Sequence, residues 1–446
     1  MMRAMPLRKI FSRPYTLFLA LNLFVMSFPH IFRHDGWTDV YLDTSRRLAA
    51  GQEIYKAVSA YVYPPFSAIL FVPLAPLPDR LAQTIWYAIS AGVFALLLKS
   101  AWSLSGGRTV DRLNAPIAEH AIAILGGLCA LQFAFNAISH LSLDLIIAAM
   151  LMAGGLAALG ERWMRTGIWW GIAAAFKGPP LLFAGYLIWR KRWLPALVMI
   201  VIAVAANLLP DLIHRPAQGG LWVTRWFQDY IRPLGHADQS AGQWYAGISD
   251  NQSLAGDIDR WFLTTVSATP DGVNVNWRAH PIGPEPLKHL VLAVDAIVCL
   301  LVAAVMRPGR PRPWNDPAMP SRSSLEFGLV MLLILLISPM SSRSLFCMML
   351  LPAFCIARAA IYRRDWIAWT SIVLASLASF FSLNLWFAPT FSHETLWVGF
   401  STINTMMLFL GSVWLLGSKE QLTPAPLTPT FQSPGMAIPG LPPEKA

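Results

Sequence analysis

Apolar residues along this 446-residue chain arrive in long blocks with few polar interruptions. Blocks of this kind are typical of membrane-spanning helices, because about 20 apolar residues cross a bilayer. The pattern therefore predicts an all-α polytopic membrane protein, a bundle of roughly 11–13 transmembrane helices. The clearest blocks cover residues 15–32, 85–104, 143–159, 194–209, 290–306, 325–337, 345–361, 366–385 and 396–416.

Short basic clusters lie between the apolar blocks, where the positive-inside rule places them in the cytoplasm. Four basic residues within positions 3–13 precede the first block. We therefore interpret that block as an uncleaved helix with a cytoplasmic N-terminus, and we expect residues 33–63 on the extracytoplasmic side. The basic clusters at 190–192, 307–312 and 358–364 leave residues 213–288 as a second extracytoplasmic loop.

The segment between residues 162 and 192 has basic residues at both ends, so it must enter the bilayer and return. Lys177 is followed by Gly178 and two prolines, which interrupt a helix. We expect two half-length helices with the lysine at their turn. Such a turn is tolerated at membrane depth only where it is buried or lines a wet cavity.

Composition supports a membrane protein and narrows its class. Hydrophobic residues make up 55% and charged residues 13% of the chain, against about 25% charged in soluble domains. The basic residues behind the net charge of +10 lie in short runs between the apolar blocks, as the positive-inside rule expects, so the charge does not indicate nucleic-acid binding. The four cysteines have no metal-ligand spacing, and HExxH, P-loop and GxGxxG motifs are absent. We expect no cofactor, no metal and no nucleotide-driven enzyme or pump.

The last part of the chain differs from the rest. Residues 417–446 are rich in proline and poor in charge, a composition that builds neither helix nor central strand. We interpret them as a disordered cytoplasmic tail, after a membrane domain that covers residues 1–416.

The first outer loop gathers acidic residues, namely Asp35, Asp39, Asp43 and Glu53. The stretch that ends at Gly51 predicts a short helix and its C-cap, on which Asp39 and Asp43 share a face. A carboxylate at the membrane surface can act as a general base. The alternative is a set of solvated loop charges that pair with neighbouring arginines.

Three further residues of this region and of the helix break are candidates for binding. Tyr41 and Tyr63 lie in the first loop, and the prolines after Tyr63 hold it extended at the membrane boundary. Tyrosine is also common there for structural reasons. Lys177 lies in apolar surroundings, where an ionisable residue is a functional hypothesis by default and a phosphate is a natural partner. Its alternatives are snorkelling or pairing with a loop acid.

Polar residues also mark two later segments. His140 and Asp144 stand one helical turn apart at the start of an apolar block, where they either line a cavity or cap a helix. Arg343 follows Pro339 between two blocks and is suited to holding a phosphate.

The second outer loop contains a run of amide, hydroxyl, cationic and aromatic side chains. Amides and hydroxyls suit sugar hydroxyl groups, and tryptophan suits a sugar face. Helix capping by Ser253 or Asp250 explains these polar residues equally well. The candidates are Asn251, Gln252, Ser253, Arg260 and Trp261.

Taken in order, these motifs resemble glycosyltransferase family 87, which belongs to the GT-C class and includes mycobacterial phosphatidylinositol mannoside mannosyltransferases. The resemblance covers most of the chain. The matching positions are Val40-Tyr41, Gly51, Tyr55, Tyr63-Pro64-Pro65, Ser139-His140, Lys177 with Pro179, Asn251 to Arg260, and Ser338, Pro339 and Ser341.

The resemblance implies inverting transfer of a hexose, commonly mannose, from a polyprenyl-phosphate donor to a lipid or glycan acceptor outside the plasma membrane. It implies Asp39 first, and Asp35 second, as the general base. Lys177 and Arg343 would hold the donor phosphate, and the tyrosines, His140 and the residues of the second loop would contact substrate.

Two positions depart from the pattern of the family. The usual aspartate position falls near Trp37, between Asp35 and Asp39. The late motif, Ser338, Pro339 and Ser341, often continues into histidine in the family, whereas Ser344 and Leu345 stand here.

Two other classes of protein remain compatible with the residues. One is a transporter or flippase, favoured by the broken helix, and the other is a non-enzymatic scaffold for envelope assembly.

Overall fold

Helices account for most of the computed structural model, which describes residues 14–33, 36–55, 61–107, 115–235, 249–262, 282–307, 319–382 and 389–418. Asp35 and almost all of the proline-rich tail lie outside these residues. In the first half of the chain, the described α-helices of seven or more residues are α1 Pro14–Phe32, α2 Asp43–Ala49, α3 Asp79–Leu104, α4 Ile117–Ser139, α5 Asp144–Leu159, α6 Trp163–Phe176, α7 Leu182–Trp189 and α8 Trp193–Leu208.

The second half of the chain adds seven α-helices of nine or more residues to the part that the structure describes. Helix α12 continues a 3-10 segment, Arg343–Met349, into one long apolar rod. These helices are α9 Leu254–Phe262, α10 Pro284–Val305, α11 Arg322–Ile337, α12 Leu350–Arg363, α13 Trp366–Phe381, α14 Pro389–Val398 and α15 Phe400–Gly417.

The all-α polytopic class is confirmed. Among the described residues, seven helical rods are long and apolar enough to cross a membrane, and three shorter apolar helices accompany them. Large apolar side chains such as Phe24, Leu128 and Leu300 are exposed on the outside of the bundle. A soluble protein rarely exposes so much apolar surface, which here matches the hydrocarbon of a bilayer.

The bundle has two polar ends, each marked by an ion pair. At one end, which we call the Lys177 end, the last turn of α6 meets the first residue of α5 through Lys177 and Asp144. At the opposite end, the Glu326 end, Arg190 after α7 pairs with Glu326 near the start of α11.

The Glu326 end is the basic end. Glu326 accepts hydrogen bonds from Tyr186 Oη (3.1 Å) and Arg322 Nε (3.0 Å) in addition to Arg190. The basic clusters at 162–165, 190–192 and 358–364 adjoin helix termini at this end. The positive-inside rule therefore favours this end as the cytoplasmic one.

The predicted helix break at Lys177 is confirmed. Helix α6 ends at Phe176, and a 3-10 turn, Pro179–Leu181, leads into α7. The carbonyl groups that the break leaves without helical partners are satisfied from elsewhere in the chain. Ser67 Oγ donates to Phe176 O (3.0 Å), and Asn207 Nδ2 donates to Ala175 O (3.2 Å).

Two glycines allow α6 and α8 to cross at close range. A Cβ atom on Gly167 would lie 2.5 Å from the carbonyl oxygen of Pro195, and one on Gly171 would lie 2.8 Å from that of Met199. This small-xxx-small spacing lets helix backbones approach in a membrane protein. Helix α6, which ends at the break, is thereby held against the continuous helix α8.

The two loops predicted to be extracytoplasmic pack against each other at the Lys177 end. Trp226 Nε1 donates to Val62 O at 3.0 Å, and Arg225 pairs with Glu53. The predicted short helix of the first loop is α2, and Gly51 beyond it has the positive φ of +70° expected of a C-cap glycine.

Candidate active site

The site begins at the break after α6. Lys177 has extended backbone angles (φ −155°, ψ 131°), so its side chain leaves the helix axis. Its Nζ lies 2.9 Å from Asp144 Oδ1, the one hydrogen bond that the side chain of Lys177 makes among the described residues. The lysine side chain is 15% exposed and the aspartate 0%. The predicted lysine at the turn is thus a partly accessible cation on a buried carboxylate.

Asp144 has partners for both of its carboxylate oxygens. Oδ2 accepts hydrogen bonds from Ser142 Oγ (3.1 Å) and Ser342 Oγ (2.9 Å), and Oδ1 accepts from Lys177. A buried ion pair is stable only when such additional bonds replace water. Asp144 therefore joins the start of α5, the turn after α6 and the segment after α11.

Aromatic rings of the first loop cover the lysine. Lys177 Nζ lies 5.7 Å from the centroid of the Tyr63 ring, within the range of a cation–π contact. The Tyr63 ring lies 5.3 Å from the ring of Tyr41. Burial raises the pKa of both phenols, although the Lys177 charge opposes the shift at Tyr63, so both stay neutral at pH 7. The two tyrosines predicted to contact substrate lie together beside the predicted phosphate ligand.

The acidic residues of the first loop lie nearer the surface. Asp39 is exposed on a π-helical stretch, Thr38–Leu42, two residues before the buried Tyr41. Asp43 pairs with Arg47 at 2.8 Å. Trp37, where the resemblance puts an aspartate, is 2% exposed and belongs to the core. The assignment of Asp39 as the base stays a prediction, and that of Asp35 falls outside the described residues.

Arg343 and His140 both lie at the Lys177 end of the bundle, but they contact different residues. Arg343 is half-buried, and its Nη2 donates to Ser382 O at 2.7 Å, at the end of α13. His140 is exposed, with Nδ1 2.9 Å from Asn136 O. Ser344 Oγ donates to the side chain of Asn136 at 3.1 Å. The segment around Arg343 thereby connects the ends of α4 and α13.

The amide and hydroxyl residues of the second loop form a buried clamp on the segment after α11. Asn251 Nδ2 donates to Pro339 O (3.1 Å), and its Oδ1 accepts from Ser341 N (3.1 Å). Gln252 N donates to Ser341 O (2.9 Å), and Ser253 Oγ donates to Pro339 O (3.0 Å). These three side chains are fully buried.

Arg260 closes the clamp from helix α9. It is 1% exposed, its Nη1 donates to Asn251 O (2.6 Å), its Nε donates to Trp397 O (3.1 Å), and it pairs with Asp257. Burial raises the pKa of Asp257 to about 7, against the lowering influence of Arg260. Trp261 is half-buried beside it. The predicted substrate contacts of this loop bond chiefly to protein atoms, and their role toward a sugar stays a prediction.

The described residues hold no group of three or more histidine, cysteine, aspartate or glutamate side chains arranged to bind a metal ion. The charged side chains described at the Lys177 end include Lys177, Asp144 and Arg343.

Two contributors escaped the sequence reasoning. The sequence marks Asp144 as a polar residue one helical turn from His140, and it marks Lys177 as a phosphate ligand or as the partner of a loop acid. It does not indicate that these two residues, 33 positions apart, pair with each other. Ser342 carried no signal, since serines are common between helices. An acid one residue into an apolar block was the available clue, because such residues in a membrane seek a partner.

These features define a class of protein: a multi-pass helical membrane protein with a cation, a buried carboxylate and tyrosines at one end of its bundle. The chain belongs to glycosyltransferase family 87, whose sequence profile matches residues 61–339, more than half of its length. The matched segment contains Tyr63, Asp144 and Lys177, whereas Asp39 precedes it and Arg343 follows it.

Two characterised relatives are similar over part of their length. Both are described as a polyprenol-phosphate-mannose-dependent alpha-(1-2)-phosphatidylinositol pentamannoside mannosyltransferase. The protein of Mycobacterium tuberculosis (strain CDC 1551 / Oshkosh) is 28% identical over 241 residues, 54% of this chain and 48% of the relative. That of Mycolicibacterium smegmatis (strain ATCC 700084 / mc(2)155) is 25% identical over 246 residues, 54% of this chain and 50% of the relative. The aligned part thus spans about half of each relative, and no solved structure matches the chain.

Proposed function

We propose that this protein transfers a hexose from a polyprenyl-phosphate-sugar donor to a lipid or glycan acceptor. The names of the two relatives favour mannose as the hexose. The transfer takes place at the Lys177 end, which faces the extracytoplasmic side of the plasma membrane. Membership of the family supports sugar transfer, and the names of the two relatives support the donor.

The position of Lys177 is the observation that carries the proposal. Helix α6 has 14 residues, so it rises about 21 Å through a hydrocarbon layer of roughly 30 Å. With Arg162 at the opposite boundary, Lys177 lies below the outer surface, close to where a lipid-borne phosphate enters the bilayer. A donor can keep its isoprenoid tail among the exposed apolar helices and bring its phosphate to this cation.

The chemistry is a direct displacement with inversion. Asp39 takes the proton of the acceptor hydroxyl, and the acceptor oxygen forms a bond to the anomeric carbon. The bond between that carbon and the phosphate oxygen breaks, and its electrons leave with polyprenyl phosphate. Lys177 and Arg343 balance the negative charge that develops on the phosphate.

The remaining residues orient the substrates. Tyr41 and Tyr63 present neutral rings beside the cation, and His140 is exposed on the same end. The clamp of the second outer loop holds the segment that carries Arg343 in place through Asn251. These roles require no nucleotide and no metal.

The test is to incubate the purified protein with a panel of polyprenyl-phosphate sugars and to measure released polyprenyl phosphate by mass spectrometry. We expect release from the mannose donor in the presence of acceptor, and its loss in Asp39→Asn with retained folding. Unchanged product formation by this variant removes Asp39 from the mechanism. Movement of intact donor across a vesicle membrane without release would favour a flippase instead.

A further inference from the structure

We propose that Asp144 is a positioning residue for recognition of the donor phosphate, acting through Lys177. Its carboxylate fixes the lysine ammonium at the recessed turn and leaves the other side of that ammonium for the phosphate. This inference rests on the proposed function and adds a residue that the sequence motifs did not place in the site.

The hydrogen bonds of the pair are asymmetric. The carboxylate of Asp144 is fully buried and accepts three side-chain hydrogen bonds, two of them from serines. The ammonium of Lys177 has three donor hydrogens but makes one hydrogen bond among the described residues. Both oxygens of the aspartate therefore have protein partners, whereas the partly exposed lysine has donor hydrogens left for a ligand.

A second buried pair in the same protein shows what a purely structural ion pair looks like. Arg358 and Glu119 are both almost fully buried and form two parallel bonds, Nη1 to Oε1 at 2.7 Å and Nη2 to Oε2 at 3.0 Å. Tyr362 Oη donates to the same carboxylate at 2.8 Å. Neither charge of that pair is directed outward, in contrast to Lys177.

Ser342 extends the influence of Asp144 to the late motif. Its hydroxyl donates to Asp144 Oδ2 at 2.9 Å, and the next residue is Arg343. One carboxylate thus connects the turn that carries Lys177 with the segment that carries Arg343. Because the two segments are already held together, less conformational entropy is lost when a phosphate binds to their cations.

A double-mutant cycle separates positioning from mere structure. The variants are Asp144→Asn, Lys177→Gln and the double variant. The assays are steady-state kinetics with polyprenyl-phosphate mannose and binding of a short-chain polyprenyl phosphate in detergent. Folding is checked for each variant by size-exclusion profile and unfolding temperature. Asp79→Asn is the matched control, because Asp79 pairs with Arg46 (2.7 Å) at a partly exposed site outside the proposed machinery.

If Asp144 acts through Lys177, each single variant raises the KM for donor by roughly 10- to 100-fold, the range of a hydrogen bond to a charged group. The double variant is then no worse than Lys177→Gln, because the residue through which Asp144 acts is already gone. Polyprenyl phosphate binding weakens in parallel, and Asp79→Asn keeps the KM of the wild type.

The opposite pattern overturns the inference. Removing both partners of a structural ion pair relieves the unpaired charge that a single substitution leaves buried. A double variant that regains the KM of the wild type therefore assigns the pair to folding alone, as does an Asp144→Asn variant with unchanged KM. In both cases the wild type still turns over donor, so sugar transfer itself stands. A double variant with the KM of the wild type would in addition remove Lys177 from the phosphate site. A wild type that neither turns over donor nor binds polyprenyl phosphate overturns both proposals.

Discussion

Asn251 offers the sharpest test of the clamp at the Lys177 end, through the substitution Asn251→Ala. The side chain accepts from Ser341 N (3.1 Å) and Ser253 N (3.3 Å) and donates to Pro339 O (3.1 Å). Pro339 O keeps a second donor, Ser253 Oγ, so alanine leaves two buried N–H groups without an acceptor.

Each buried N–H group that loses its partner costs about 1–3 kcal/mol, so we expect a loss of about 2–6 kcal/mol in the free energy of unfolding. With a shift of about 2 °C for each kcal/mol in a chain of a few hundred residues, the unfolding temperature falls by about 4–12 °C.

A thiol-reactive dye provides the assay, because Cys129, Cys347 and Cys355 are buried and become reactive on unfolding. Wild type and variant are heated at the same rate, since unfolding in detergent can be irreversible. Thr84→Ala is the control: it removes an exposed side-chain bond to Arg80 O (2.7 Å), and we expect no measurable shift. An Asn251→Ala variant that unfolds within 1 °C of the wild type would refute the clamp.

Three further outcomes follow from the buried charges and from one strained turn. Gly399 has a φ of +85°, and a Cβ atom there would meet the Asp257 carboxylate, so Gly399→Ala should lower the unfolding temperature in the same dye assay. Burial raises the pKa of Asp257 to about 7, so folding takes up a proton at this carboxyl group. The resulting contribution to the free energy of unfolding is complete below about pH 4 and is lost as the pH rises through 7. Asp257→Asn should therefore flatten this part of the plot of stability against pH. Glu119→Gln should destabilise the protein by about 3–5 kcal/mol because it leaves the Arg358 charge buried, and adding Arg358→Met should restore most of the unfolding temperature.

Local features of this fold were predictable from the sequence because they depend on neighbouring residues alone. The chain break at Lys177 follows from Gly-Pro-Pro, which no helix continues, and the turn at Gly51 follows from the freedom of glycine at positive φ. The apolar blocks predicted the membrane class for the same reason, since hydrophobicity is summed within one segment.

Contacts between distant segments were not predictable in this way. The Asp144–Lys177 pair joins two helices, and the clamp joins Asn251 to Ser341 across 90 positions. The amide and hydroxyl groups of Asn251 serve a protein backbone as well as they would serve a sugar, so residue type alone does not separate the two roles. Arg260 gave no sign of its near-complete burial, because a lone arginine in a polar loop is usually solvated.

The side of the membrane on which the Lys177 end lies is the claim on which the proposed chemistry depends most. It is tested by labelling intact cells with a membrane-impermeant maleimide, after replacement of the four native cysteines. Single cysteines are introduced by Asp39→Cys at the Lys177 end and by Lys191→Cys at the Glu326 end. We predict that position 39 is labelled from outside and that position 191 is labelled only after permeabilisation. Labelling of position 191 in intact cells, with position 39 protected, would place the Lys177 end in the cytoplasm and contradict the proposed transfer outside it.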